Sequence, residues 1–368
     1  MSLYESWLDF REKCLTSKRF HDFAIRFPLT RPVVRKRQSE LFDLVSGFVY
    51  SQILASCVEL NIFSHVAGKG RTIASLAGTL KLPEDETRRL LDGAVSLRLL
   101  EKIEDRYRLG DLGAALSINK GVLAMIRHHG ALYKDLTDPV ELLRGGRRET
   151  NLSRYWDYAM SEDPVRSDDA DVAPYSELMS ESQIMVAEEI AACFHFADYE
   201  TLLDVGGGQG TFLRTIAPHA EHLDLMLFDL PAVAARAEKQ FADAGFGDRI
   251  VCHGGSFFDD PLPVGADLVS LVRIVHDHDD EPAQKIVQAV YDCLPKGGTL
   301  ILCEPMSTGG SAHRIADAYF NFYLYAMGSG RPRSPQMLTN MLESCGFSSV
   351  RLVPTRAPLI TSILCAQK

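Results

Sequence analysis

The apolar positions fall into three regimes along the chain. From Leu41 to Leu60 the run LFDLVSGFVYSQILASCVEL is apolar on more than one helical face, which predicts a helix buried in a domain or a subunit interface rather than facing solvent. RTIASLAGTL and PEDETRRLLDGAVSLRLL carry short amphipathic helices, the second opened by Pro83 and three successive acids, Glu84, Asp85 and Glu86. LEKIEDRYRLG then reads as strand, turn, strand, and helices followed by a small hairpin describe a winged helix. Residues 119 to 183 read as helices and loops, with a polar stretch from Arg144 to Arg154 and an acidic one, SEDPVRSDDADV, as the expected hinge. Beyond it, strands alternate with helices: TLLDVGGG, LDLMLFDLP, DRIVCHGGSFF, ADLVSLVRIVHD, GGTLILCEPM and a final pair around SSVRLVPT and ITSILCAQ. Apolar strand cores separated by amphipathic helices predict an α/β domain with a parallel sheet covered on both faces.

The expected organisation is therefore an arm over 1–38, a winged-helix-like domain over 39–118, a helical connection over 119–183 and a Rossmann-like domain over 184–368. At 368 residues, with 46% hydrophobic and 24% charged positions, the composition is that of a globular protein. No run of eighteen or more apolar residues occurs and the start MSLYESWLDFREK lacks a secretory core, so neither a membrane span nor a signal peptide is expected and the location reads as cytoplasmic. The eight cysteines are scattered without a CxxC pair, which predicts free thiols and leaves zinc without a ligand set.

The net charge of −10 argues against a nucleic-acid partner, but it is unevenly placed. Residues 1–38 hold nine Lys/Arg against four acids, a net +5 that leaves −15 for the rest. These bases alternate with Phe20, Phe23, Ile25, Phe27, Leu29 and Val33, a composition suited to an anionic membrane surface or to packing on a partner subunit. The candidate recognition helix of the winged unit opens with acids that repel phosphate, so that unit is assigned a protein contact instead of DNA.

Leu203-Asp204-Val205-Gly206-Gly207-Gly208-Gln209-Gly210-Thr211 ends the first strand of the α/β domain. Glycines there let a ligand approach the main chain at the switch point of the sheet. The next strand ends at Asp229, followed by Leu230, with a carboxylate suited to the two hydroxyls of a ribose. NAD fits that much. Gly206, Gly208 and Gly210 are followed by Thr211, however, without the last Gly or Ala of the dinucleotide fingerprint. Asp204 offers a carboxylate for an amino-acid moiety and Gly255-Ser256-Phe257 a polar-aromatic place for an adenine, the pieces that S-adenosylmethionine carries. Arg273, closing the fourth strand, is counted with these cofactor positions.

The segment RIVHDHDDE follows that strand at the carboxyl edge of the sheet. Methyl transfer to a hydroxyl needs the proton removed as the oxygen attacks, and His276 is the candidate base, with Asp277 beside it and Glu304, after the fifth strand, able to support the ring. A divalent metal on His276, Asp277, His278 and Asp280 is the alternative, opposed by the difficulty of closing a coordination sphere from one loop. A helix amino-terminal turn explains Asp280 and Glu281.

DVGGGQG, FDLP, GGSFFDDPLP, VHDHDDE and LPKGGTLILCEPM, with the preceding winged helix, resemble over nearly the whole chain the S-adenosylmethionine-dependent small-molecule O-methyltransferases of the plant caffeate and bacterial polyketide type. The resemblance implies a homodimer built through the amino-terminal domains, His276 as general base, Glu304 as its supporting acid, and cofactor contacts at Gly206, Asp229, Leu230, Ser256 and Phe257. FPLTRPVVRKRQSELFDLVSGFVYSQ and DAYFNFYLYAMGSGRPRS look like the carotenoid-pathway members, which methylate the tertiary hydroxyl of acyclic carotenoids of the hydroxyneurosporene type. His278 stands where the family commonly has Trp, Ser256 where it has Asp, and Pro332 where a second catalytic acid often lies, the last of which weakens the case for a two-acid clamp on His276. The acceptor is expected against Tyr319, Tyr323 and Met327, with Met179 opposite; as an apolar helical stripe these residues equally fit a core. Other readings are a phenolic acceptor, a tetrapyrrole carbon, a cofactor-sensing regulator and a nicotinamide oxidoreductase; no metal is expected.

Overall fold

The computed structural model describes residues 2–145, 149–154, 173–307, 315–358 and 360–368, with the side chains of 173–181, 315 and 316 outside the description. The chain forms two compact units, Met1–Ser117 and Ile118–Lys368. The acidic stretch expected as a hinge lies outside the described residues.

In the first unit, helices Leu3–Thr16 and Lys18–Arg26 lead into a 29-residue helix, Arg31–Glu59. This helix starts ten residues before the apolar pattern does, because Pro32 presets the first turn while Arg35, Lys36 and Arg37 give no hydrophobic signal. Burial in a domain or a subunit interface was expected, and among the described residues Leu41, Phe42, Leu44, Val45 and Phe48 are all exposed, an apolar face of the kind that marks an interaction surface. By length and composition alone the same helix is long and apolar enough to cross a membrane, with 11% of that stretch buried. Asp43, Ser46, Ser51 and Gln52 interrupt the apolar run without lowering its average below that of a span.

The winged unit forms as read. Helix Ile73–Leu80 is capped by the Thr72 hydroxyl, and Glu84–Ser96 carries its three acids in the first turn, where the helix dipole favours them. Strands β1 (Arg71–Thr72), β2 (Leu100–Ile103) and β3 (Arg106–Leu109) pair antiparallel in the order β1-β3-β2. A two-residue strand such as β1 is too short to show alternation, and the sequence reading omits it.

The second unit holds β4 (Thr201–Val205), β5 (Asp224–Asp229), β6 (Ile250–Gly254), β7 (Leu268–Val272), β8 (Thr299–Glu304), β9 (Ser348–Val353) and β10 (Ser362–Gln367), in the order β6-β5-β4-β7-β8-β10-β9. The first five are mutually parallel, while β10 runs antiparallel to both β8 and β9, a correction to the all-parallel expectation. Two apolar clusters cover the sheet, one containing Phe212, Leu225 and Phe241, the other Val269, Leu271 and Ile286. Each such side chain contributes about 1.5–3 kcal/mol by leaving water, and the apolar residues of β7 and β8 are all buried. The strand order reverses between β4 and β7, which opens a crevice at their carboxyl ends. All eight cysteines are unbridged.

Candidate active site

The crevice is built from the loop after β4. Gly206 has a φ of +72°, and a Cβ there would meet the Ile274 side chain at 2.6 Å, so only glycine lets the end of β7 close on the loop. Gly208, at φ +57°, differs: a Cβ would meet nothing, so its main chain borders open space. Its N–H donates to Asp229 Oδ2 at 2.8 Å, and the Leu230 N–H donates to Oδ1 at 2.7 Å. Asp229 thus ties the glycine loop to the end of β5. Burial raises its pKa, opposed by those two N–H donors, and each oxygen keeps a lone pair for a further donor.

Asp204 lies deeper. It is buried on β4 opposite Ser270 of β7, whose hydroxyl donates to its Oδ1 at 2.7 Å, while Oδ2 has no partner. Burial, with Asp229 nearby and the Ser270 hydrogen bond opposing, pushes its pKa up to about 7. An orphaned buried acceptor under a glycine cradle fits a ligand bearing an ammonium group. Ser256 and Phe257 follow β6. The Ser256 hydroxyl donates to Asp259 at 3.0 Å and accepts from the Phe258 N–H, and Phe257 meets Phe258 and His278 edge to face at 4.7 and 5.7 Å. Arg273, with φ +60°, turns the chain sharply after β7 and donates to the Ser182 hydroxyl at 2.9 Å.

His276 sits in a short 3₁₀ turn, Val275–Asp277, with a side chain 3% exposed. Its Nε2 lies 3.1 Å from Asp277 Oδ1 and its Nδ1 3.7 Å from Glu304 Oε1, too far for a hydrogen bond, so Nδ1 has no partner. The support expected from Glu304 is therefore divided: Asp277 contacts the ring, while Glu304 accepts the His276 backbone N–H at 2.9 Å and fixes the turn. Burial alone would pull the imidazole pKa down, but the two carboxylates outweigh it and raise it to about 9. Phe320 approaches the ring at 6.5 Å.

The metal alternative is not assembled. Among the described residues no three His, Cys, Asp or Glu side chains converge on a point, and Asp280 is engaged by Arg331 and Arg333. Sequence reasoning missed Arg333. At 1% exposure it donates to the carbonyls of Val275 at 2.7 Å and His278 at 2.8 Å and to Asp280, clamping both sides of the His276 turn. Its signal was a lone Arg between Pro332 and Ser334, beside the position where a second acid was sought. Arg333→Met, which removes the buried donors to those carbonyls and to Asp280, is expected to cost about 2 kcal/mol in urea unfolding and to lower kcat more than it changes the cofactor KM; unaltered stability and kcat would deny the clamp.

A turn of π-helix, Ile315–Phe320, precedes helix Asn321–Met327. Tyr323 and Met327 are buried in a cluster with Leu132, Leu142 and Leu152, so the structure places them in a core. Tyr319 stacks on Tyr323 at 5.9 Å, and Phe320, not singled out from the sequence, is the member of the stripe beside His276. The Met179 side chain lies outside the described residues. Two unforeseen histidines hold this wall: His128 Nε2 shares a hydrogen bond with the Tyr323 hydroxyl at 3.0 Å and His129 Nε2 with that of Tyr319 at 2.8 Å. Burial, with His129 adjacent, lowers the His128 pKa to about 4, so that ring stays neutral.

The sequence matches an O-methyltransferase domain over residues 133–348 and an O-methyltransferase dimerisation domain over 42–118. The chain belongs to the O-methyltransferase family. This O-methyltransferase is 41% identical over 351 residues to the demethylspheroidene O-methyltransferase of Cereibacter sphaeroides, covering 95% of this chain and 92% of that protein. It is 39% identical over 362 residues to the protein of the same name from Rhodobacter capsulatus, covering 98% and 90%. Among solved structures, human N-acetylserotonin methyltransferase in complex with S-adenosylmethionine aligns with a TM-score of 0.73 at 23% identity over 90% of this chain and 97% of that one. The pyocyanin biosynthetic protein PhzM aligns at 0.76 with 20% identity over 90% and 99%. The O-methyltransferase thus has the fold of S-adenosylmethionine-dependent methyltransferases, with a helical dimerisation domain before it, and S-adenosylmethionine is its methyl donor.

Proposed function

We propose that the enzyme methylates the tertiary hydroxyl at the end of an acyclic carotenoid of the hydroxyneurosporene or demethylspheroidene type, as a cytoplasmic homodimer whose basic arm rests on a membrane. The observation that carries the acceptor is the 41% identity to a demethylspheroidene O-methyltransferase across nearly the full length of both chains. The aromatic cluster of Tyr319, Phe320 and Tyr323 supports it, because His129 and His128 take up the two tyrosine hydroxyls and Phe320 brings an apolar ring beside His276.

In this reading Asp229 takes the ribose hydroxyls and Leu230 lies beside them. Ser256 and Phe257 border the adenine, Gly206 and Gly208 admit the backbone-hugging part of the cofactor, and Asp204 and Arg273 serve its charged amino-acid end. When bound, S-adenosylmethionine would supply an electrophilic methyl on a sulfonium, with neutral S-adenosylhomocysteine as the leaving group once the methyl–sulfur bond breaks. His276 accepts the proton of the acceptor hydroxyl as its oxygen forms the new bond to carbon. Asp277 steadies the resulting imidazolium, and Glu304 keeps the turn in place. Burial of the ring excludes water that would compete for the methyl.

The test is transfer of labelled methyl from S-adenosylmethionine to 1-hydroxylated acyclic carotenoids in detergent, beside a panel of phenols, with and without EDTA. Transfer to the carotenoid, indifferent to EDTA, is expected. Transfer to phenols alone would refute the acceptor and leave the cofactor site standing.

A further inference from the structure

The first forty-one residues lie outside both family matches, which begin at residue 42. The alignment with the Rhodobacter capsulatus protein covers 98% of the chain and so includes nearly all of them, whereas the two solved methyltransferases each leave a tenth of this chain unmatched. Most of this arm is therefore shared with a relative named as a demethylspheroidene O-methyltransferase. It has its own physical character. Helix Leu3–Thr16 buries none of its side chains, and Leu3, Trp7 and Phe10, at helical spacing on one face, are exposed, Leu3 at 93%.

Lys18–Arg26 and the start of Arg31–Glu59 enclose two adjoining notches. One, of about 480 Å³, is lined by Arg19, Asp22, Phe23, Arg26, Phe27 and Pro28. The other, of about 380 Å³, is lined by Ile25, Arg26, Arg31, Val34, Arg35 and Gln38. Four guanidiniums thus face one acid, and the side chains of Arg19, Arg26, Arg31 and Arg35 make no hydrogen bond or ion pair among the described residues. Unneutralised arginines beside exposed aromatic rings, on an arm of net +5 in a chain whose remainder is −15, match the chemistry of a phosphate headgroup over acyl chains.

We propose that this arm is a docking site for an anionic lipid bilayer, with Arg19, Arg26, Arg31 and Arg35 taking lipid phosphates in the two notches and Leu3, Trp7 and Phe10 entering the interface. The inference rests on the reading of the acceptor as a membrane-dissolved polyene for its purpose, but not for its test. Sedimentation of the full-length enzyme with vesicles of phosphatidylcholine alone, and of phosphatidylcholine mixed with phosphatidylglycerol, measures the partition coefficient. Binding to the mixed vesicles alone is expected, weakened by salt. It should fall about fivefold for each Arg→Ala change and several hundredfold for all four together, while methyl transfer in detergent and the dimer mass are unchanged. Equal binding to both vesicle types, or no binding with the four-fold variant running as a monomer, would overturn the proposal, the latter by making the arm a subunit contact. Docking without transfer to the carotenoid would sink the acceptor and leave the docking site intact.

Discussion

Replacement of His276 by alanine is expected to lower kcat about 100-fold or more, the loss that follows removal of a general base, with the dissociation constant of S-adenosylmethionine kept. The ring holds no cofactor-binding element: its neighbours are Asp277 and Phe320, Glu304 holds the backbone N–H beneath it, and Phe257 packs against His278 instead. Isothermal titration of the variant separates the two effects. Full activity would remove His276 from the mechanism. The acidity of a tertiary alcohol makes the expectation sharper, because an alkoxide cannot form in advance at neutral pH and the proton must leave as the carbon–oxygen bond forms.

The pH profile carries the same argument. With its pKa raised to about 9 by Asp277 and Glu304 against the effect of burial, the ring of the free enzyme is charged at neutral pH. Only the neutral ring accepts a proton, so kcat/KM for the cofactor should climb about tenfold per pH unit and level off near pH 9. The profile of kcat should turn at lower pH, because a second positive charge beside the ring disfavours the imidazolium. Stability moves the other way. The folded pKa lies above the ordinary 6.5, so the charge stabilises fully below pH 6.5 and that contribution is lost as pH rises through about 9. A kcat/KM profile flat from pH 6 to 9 would contradict this placement of the two carboxylates.

The central strands were legible because each is an apolar run bounded by turn residues, and Leu268–Val272 is buried at every position. The same uniformity hid the direction of β10, whose first five residues are buried: with both faces covered, no alternation records whether a strand runs with or against its neighbours. The glycine loop and His276 declared themselves through residue types that chemistry requires. The partners did not. Ser270 meets Asp204 through strand register, sixty-six positions away, and Arg333 reaches back from beyond a helix to carbonyls that carry no sequence signal. Asp277 was named, but that it and not Glu304 would contact the ring depends on a rotamer within a 3₁₀ turn. The apolar face of the long helix allowed burial in its own domain or in a subunit interface, and a single sequence does not distinguish the two; the exposure of that face within one chain leaves the interface.

Asp229→Ala is expected to weaken binding of both S-adenosylmethionine and S-adenosylhomocysteine about 100-fold, the loss of two hydrogen bonds to a charged acceptor, with kcat at saturating cofactor little changed. Both products and substrates carry the ribose, so the two dissociation constants should shift together, unlike any effect on the sulfonium. The fold should survive. Burial already raises the Asp229 pKa from its ordinary 3.8, so the ionised carboxylate is held at a cost and its removal relieves that cost, while the N–H groups of Gly208 and Leu230 lose their acceptor. These opposed effects predict a change of no more than about 1 kcal/mol in unfolding free energy. Asp229→Asn is the stricter probe, because one of the two N–H donors would then face an amide NH₂, leaving a single acceptor oxygen for the loop and the ligand to share. An unchanged dissociation constant in Asp229→Ala would refute the ribose placement, and a loss of affinity for the sulfonium form alone would move the residue from the ribose to the charged end of the cofactor.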